Sequence, residues 1–368
     1  MEKSFYLDAA ATTPIYSEVE KEMKKVGYGN PSSLHLIGEK AKKCLESARK
    51  KIAEEINCKP KEIYFTSGGT ESNNLALQGI AHSMKKRKII ISSIEHPSVN
   101  ETANYLFSQG FKVVRVRVDS EGLIDFNSLE KNLSKGVALV SVIHVNNIIG
   151  TIQDLKKIGE LCKKAGAIFH TDAVQSFGKI KIDVGGCNIS LLSASAHKIG
   201  GPKGIGILYV RDGINLSPLF FGGGQERGLR SGTENVSGVV GFAKALEITR
   251  KLNKKAIERS RDFLIEKLEI LEMKINGSRE KRIYNNVNFM VPGVEADTLV
   301  VFLSRIGIYL SAGSACDSIK KEEHVLKAIG LTEKEAKSSV RISLNEHLTE
   351  KECDFIVKKI VLVADRLK

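Results

Sequence analysis

Short apolar runs rich in Val and Ile recur along the chain at Lys88–Ser92, Lys112–Val118, Val137–Val142, Ala167–His170, Ile189–Leu192 and Ile205–Val210. Runs of this length and composition suit strands covered on both faces. Between several of them lie stretches with apolar positions at helical spacing and charged faces, such as Asp154–Ala165. Strands alternating with helices predict an α/β architecture with a largely parallel sheet. Ile205–Val210 follows a Gly-rich turn, which predicts an antiparallel return strand. From Glu247 to Met273 the pattern is helical and rich in Lys and Glu, as in one long connecting helix. The remainder mixes short strands, Tyr284–Met290 and Val340–Leu344, with a final amphipathic helix over Thr349–Leu367 that opens on Thr349 and Glu350. The change of pattern near residue 250 marks the expected domain boundary.

At 368 residues the chain is long enough for two or three domains and for a core that needs no disulfide or metal staple. An apolar fraction of 42% with charges of both signs excludes disorder as a whole-chain reading. No apolar run approaches the roughly 18 residues of a membrane span. The best candidate, Gly136–Val145, is too short and includes His144. The N-terminus carries Glu2 and Asp8 and no apolar segment, so no secretory signal is expected and the cytoplasm is the default. Lys and Arg outnumber acidic residues 56 to 43, a net charge of +13, but the longest basic run is only Lys85–Lys88. A solvated Lys-rich surface explains that better than a nucleic-acid partner. The six cysteines (Cys44, Cys58, Cys162, Cys187, Cys316, Cys353) show no C-x-x-C and no metal-ligand spacing, so neither a disulfide framework nor a metal site is expected.

Three stretches carry candidate chemistry. In Ser193–Gly206, Lys198 follows small polar residues and His197 and precedes a Gly-rich turn where backbone and ligand can approach closely. A lysine in such a site can form a Schiff base when its amine is partly neutral. Upstream, the apolar run Ala167–Phe169 ends in polar residues, which puts Asp172 at the carboxyl end of a parallel strand, where open α/β sheets bind ligands. An Asp there can keep a pyridinium nitrogen protonated, or simply cap a helix. Finally, Phe65–Asn74 leads from a strand through Ser67-Gly68-Gly69-Thr70 into a helix, an arrangement suited to a phosphate or to a plain capped turn.

With further motifs at Tyr6–Pro14, Gly29–Ser33, Glu95–Pro97, Val145–Asn147, Asp172–Gln175, Gly222–Thr233, Ser311–Cys316 and Arg341–Leu344, the chain resembles the cysteine desulfurases of the NifS/IscS type almost end to end. These belong to the class V aminotransferase branch of fold type I pyridoxal phosphate (PLP) enzymes. The resemblance implies a large α/β PLP-binding domain, residues 15–255, with a mainly parallel seven-stranded sheet flanked by helices. It also implies a smaller α+β domain, residues 1–14 and 256–368, carrying Cys316 and Arg341. By this resemblance Lys198 holds PLP as a Schiff base, Asp172 pairs with the pyridine nitrogen and Gln175 hydrogen-bonds the ring hydroxyl. His96 stacks on the ring as an acid/base group. Gly69, Thr70, Ser195 and His197 hold the phosphate, and Thr233 reaches the phosphate of a neighbouring subunit, which implies a homodimer. Asn147 and Arg341 bind the substrate carboxylate; the plain alternative for Arg341 is a surface ion pair.

Cys316, in a polar stretch of small residues, is the implied nucleophile. Lys320 and Lys321 favour its thiolate, whereas Asp317 opposes it. The other five cysteines sit among apolar or helical residues, where packing as small hydrophobes is expected. The implied reaction converts L-cysteine to L-alanine, with a persulfide on Cys316 passed to an acceptor, an iron–sulfur scaffold or a tRNA-thiolation enzyme. The rivals are another class V reaction (aminotransferase, selenocysteine lyase or cysteine lyase) and a catalytically weak sulfur carrier. Departures from the family pattern fall at Ile148, where Glu is common, at Asp317, and at Asn345-Glu346-His347.

Overall fold

The computed structural model describes residues 3–134, 136–312 and 323–368. A short strand, β1 (Phe5–Tyr6), opens the chain. Seven further strands build the main sheet: β2 (Ile63–Thr66), β3 (Lys88–Ser92), β4 (Lys112–Val116), β5 (Val137–Ser141), β6 (Ile168–Asp172), β7 (Leu191–Ser195) and β8 (Gly206–Val210). Their order is β2-β8-β7-β6-β5-β3-β4. Every neighbouring pair is parallel except the two that include β8, which is the return strand that the preceding Gly-rich turn implies. Strands β5, β7 and β8 are buried along their whole length, which is why their sequences do not alternate.

Strand order reverses between β3 and β5, and ligand sites of open α/β sheets form beyond the carboxyl ends at such a reversal. Helices cover both faces. Leu45 and Ile52 of Leu36–Glu55 pack with Phe169 and Phe242 on one side, while Leu75 of Gly69–Ser83 and Leu106 of Pro97–Ser108 pack with Ile91 and Leu139 on the other.

A separate core joins Phe5 and Leu7 to residues between Ile257 and Ala364. It lies around a four-stranded antiparallel sheet ordered Ser311–Ala312, Ser339–Ser343, Asn286–Met290, Ile275–Asn276. Strand β1 pairs with Ile308–Tyr309, so the N-terminal segment is tied to the C-terminal part of the chain. The final helix, Glu350–Leu367, starts on a capping box between Thr349 and Glu352.

Two expectations are corrected. The helical pattern over Glu247–Met273 is two helices, Val236–Lys251 and Lys254–Ile270. Leu252 is extended (φ −60°, ψ 139°), and the Asn253 side chain accepts from the backbone N–H of Ala256 and starts the second helix. A restart capped by Asn satisfies the donors that the break exposes. The five cysteines outside the Cys316 stretch do not all pack inside: Cys162 and Cys353 are buried, Cys58 and Cys187 half-buried, and Cys44 exposed on its helix.

Candidate active site

β6 ends on Asp172, which is 3% exposed. Its carboxylate accepts from Val174 N–H (2.9 Å) and from the Asn73 amide (2.7 Å), and no ion pair among the described residues neutralises it. A buried carboxylate without a countercharge is costly and is suited to a cationic partner.

Beside it, β2 runs through Ser67 and Gly68 into the helix Gly69–Ser83, whose first turn directs backbone N–H groups at the same space. A Cβ on Gly69 would stand 2.5 Å from the Val174 side chain, so only glycine permits this close approach of helix and loop. β7 ends on Ser195, followed by a single turn carrying His197 and Lys198. Burial, with Lys198, Lys203 and Lys179 nearby, pushes the His197 imidazole down to about 4. Lys198 Nζ donates to the carbonyls of Ala10 and Ala11, both at 2.7 Å. Gln175 Nε2 donates to the same Ala10 carbonyl at 2.8 Å, while its oxygen receives Lys179 Nζ at 3.4 Å. Burial and the neighbouring Lys198 and Lys254 push the Lys179 amine down to about 7.

His96 is the N-cap of Pro97–Ser108: its Nδ1 accepts from Ser98 N–H. Glu95, directly before it, is fully buried, and burial raises its carboxyl to about 8 despite hydrogen bonds from Ser92 Oγ and Ile143 N–H. Arg341, on Ser339–Ser343, is 4% exposed and donates to Asp8 Oδ1 (2.7 Å) and to the Asn147 carbonyl (3.0 Å). Asn147 itself follows β5 in the turn that leads to Ile148.

These groups meet around one cavity of about 370 Å³, bordered by Gly69, Thr70, His96, Asn147, Asp172, Gln175, Ser195, His197, Lys198 and Arg341. Thr233 is exposed and is not part of this lining. Cys316 lies outside the described residues. Ile148, where the family pattern commonly has Glu, is 1% exposed and packs with Ile94, Ile143 and Leu326, so that departure sits in the apolar wall behind the cavity. Among the described residues no His, Cys, Asp or Glu cluster could hold a metal, and no helix is long and apolar enough to cross a membrane.

Sequence reasoning missed Asp8, Glu95, Asn73, Ser98 and Lys179. The signals for Asp8, Glu95 and Asn73 were present in Tyr6–Pro14, Glu95–Pro97 and Phe65–Asn74, but only packing shows that these polar groups turn inward; Ser98 and Lys179 lie outside every motif. The donor set fits PLP: an uncompensated buried carboxylate for a pyridinium, a helix N-terminus with hydroxyls for a phosphate, and a lysine whose amine borders the space between them.

Comparison with known proteins agrees. The class V aminotransferase family model matches residues 5–356. The chain is 41% identical to the cysteine desulfurase IscS of Dictyoglomus turgidum, over all of this chain and 96% of that protein. Among solved structures, a NifS-like protein superposes with a TM-score of 0.93 at 40% identity, covering 99% of this chain and 100% of the other. A structure of SspA in complex with cysteine gives 0.83 at 38% identity, covering 94% of this chain and 100% of SspA. The chain belongs to the class V aminotransferase family of fold type I PLP enzymes, within its cysteine desulfurases of the NifS/IscS type.

Proposed function

We propose that this protein is a PLP-dependent cysteine desulfurase in which Cys316 receives the sulfur of L-cysteine as a persulfide and passes it to an acceptor. The observation that carries this reading is the gathering of Lys198, Asp172 and Arg341 around one cavity, in a chain whose relatives over its whole length are cysteine desulfurases.

Bound PLP supplies an electron sink for the pair left when the substrate Cα–H bond breaks. Lys198 would hold the cofactor, and its amine would take the substrate Cα proton. Asp172 would pair with the pyridine nitrogen, and Gln175 would donate to the ring hydroxyl. The N–H groups and side chains of Gly69, Thr70, Ser195 and His197 hold the phosphate. Arg341 and Asn147 fix the substrate carboxylate, a task that suits a planar guanidinium fork. His96, on the border of the cavity, would face the ring. The Cys316 thiolate attacks the substrate sulfur, so that the substrate C–S bond breaks as an S–S bond forms. One cysteine and one thiol thus give one alanine and one persulfide, with no external oxidant.

Thr233, exposed in the single chain, would complete the phosphate site of a second copy, which makes a homodimer the working form. The acceptor is an iron–sulfur scaffold or a tRNA-thiolation enzyme, and the setting is cytoplasmic. The test is incubation with L-cysteine and a reductant, with alanine, pyruvate and sulfide quantified. Equal alanine and sulfide support the reading. Pyruvate would indicate β-elimination, and turnover only with an added keto acid would indicate transamination.

A further inference from the structure

Four side chains link the floor of the cavity to its side. Asn73 Nδ2 donates to Asp172 Oδ2 at 2.7 Å and to Ser98 Oγ at 2.8 Å. Ser98 Oγ lies 2.7 Å from His96 Nδ1, and Ser98 N–H donates to that same nitrogen at 3.1 Å. Asn73 and Ser98 are both buried.

Donor and acceptor roles along this chain are fixed from one end to the other. A backbone N–H can only donate, so His96 Nδ1 is an acceptor. Turning the Asn73 amide over would set its oxygen against the Asp172 carboxylate. The observed orientation instead gives both contacts to the nitrogen and leaves Asn73 Oδ1 buried without a partner among the described residues, a cost that a charged acceptor justifies. Ser98 Oγ therefore accepts a hydrogen bond from Asn73, and its own hydroxyl proton points to His96 Nδ1.

We infer that Asn73 and Ser98 are positioning residues that hold His96 as the tautomer protonated on Nε2, so that its ring acts as a neutral hydrogen-bond donor. This rests on the proposed reading of the cavity and deepens it. It departs from the acid/base role that the family resemblance implies for His96. With Nδ1 turned to Ser98, the other ring nitrogen, Nε2, carries the proton and has no lone pair with which to take one. Proton exchange with the substrate then belongs to Lys198, and His96 contributes a fixed dipole, as a neutral imidazole can.

The test is nitrogen-15 NMR of the holoenzyme labelled at histidine, with the His96 signals assigned by their loss in His96→Gln. The expected spectrum at neutral pH shows an unprotonated Nδ1 and a protonated Nε2. A proton on Nδ1, or on both nitrogens, would overturn the inference. In Ser98→Ala the Nδ1 resonance should move towards that of a nitrogen with one donor fewer. There kcat should fall about tenfold, the scale of one lost hydrogen bond, with cofactor occupancy unchanged. Ser98→Thr should restore both. An unmoved resonance and unchanged kcat in Ser98→Ala would equally overturn it. Alanine formation by the parent enzyme tests the proposed function separately, since the tautomer is read without turnover.

Discussion

Arg341 and Asp8 form a 2.7 Å ion pair beside the cavity, joining Ser339–Ser343 to the segment that follows the first strand. The arginine is buried and its Nε has no partner among the described residues, so its fork is only partly used. Both terminal nitrogens are anchored, Nη2 on Asp8 and Nη1 on the Asn147 carbonyl, which sets the plane in which a substrate carboxylate would be received. Replacing Arg341 with Lys should lower kcat/KM for L-cysteine about 10- to 100-fold, mainly through KM, because a point charge cannot give two parallel hydrogen bonds. Asp8→Asn should raise KM while leaving kcat near its parent value. Steady-state kinetics on both variants checks this, and an unchanged KM in both would remove Arg341 from substrate binding.

A second ion pair concerns stability. Arg49 and Glu226 meet through two 2.8 Å hydrogen bonds and are almost fully buried. Glu226 also accepts from Phe65 N–H, and Arg49 donates to the Ile63 carbonyl, so the pair caps the outer edge of the strand that leads to Gly69 and Thr70. Glu226→Gln leaves the buried guanidinium with only the half-exposed Glu46 as countercharge, a loss of up to about 3–5 kcal/mol, the usual cost of breaking a buried pair. Urea denaturation should show this loss. The double variant Arg49→Met with Glu226→Gln should recover part of it.

Buried histidines set an acid limit. Burial lowers His144 to about 4 and His170 to about 3, against 6.5 in the unfolded chain. The unfolded state therefore binds protons first. The stability these groups confer is complete above pH 6.5 and is lost as pH falls towards 4, on the order of a few kcal/mol. Glu95, raised to about 8 from 4.5, acts in the opposite sense between those values, so three lowered histidines, His144, His170 and His197, stand against one carboxyl. The melting temperature should drop between pH 6.5 and 4.5, and the drop should be shallower in His144→Gln. A flat profile in the parent would refute the assignment.

The Lys198 amine borders the proposed cofactor site, which gives a spectroscopic prediction. The parent purified with PLP should be yellow and lose that band on borohydride treatment. Lys198→Ala should retain PLP only reversibly, released on dialysis.

Much of this architecture was legible beforehand because period and composition report burial directly. The run Val137–Val142 reads as a covered strand, and all of Val137–Ser141 is buried in the sheet. Asp172 was placed correctly because an apolar strand that turns polar must end at the sheet edge. The break at Leu252 escaped notice because Asn253 is also tolerated within a helix, and only the paired N–H of Ala256 reveals a restart. Asn73, Ser98 and Asp8 were equally hidden. A polar residue in a loop or first helical turn is ordinarily solvated, and its inward direction depends on partners roughly 25 to 330 residues away in sequence.

The central claim is that sulfur leaves the substrate onto Cys316. Intact-mass spectrometry of the protein after brief incubation with L-cysteine, before any reductant is added, tests it most directly. The parent should gain one sulfur atom, mapped by peptide analysis to Cys316, while Cys316→Ala should gain none and yet still bind PLP. Sulfur found on another cysteine, or retained in full by Cys316→Ala, would contradict the account.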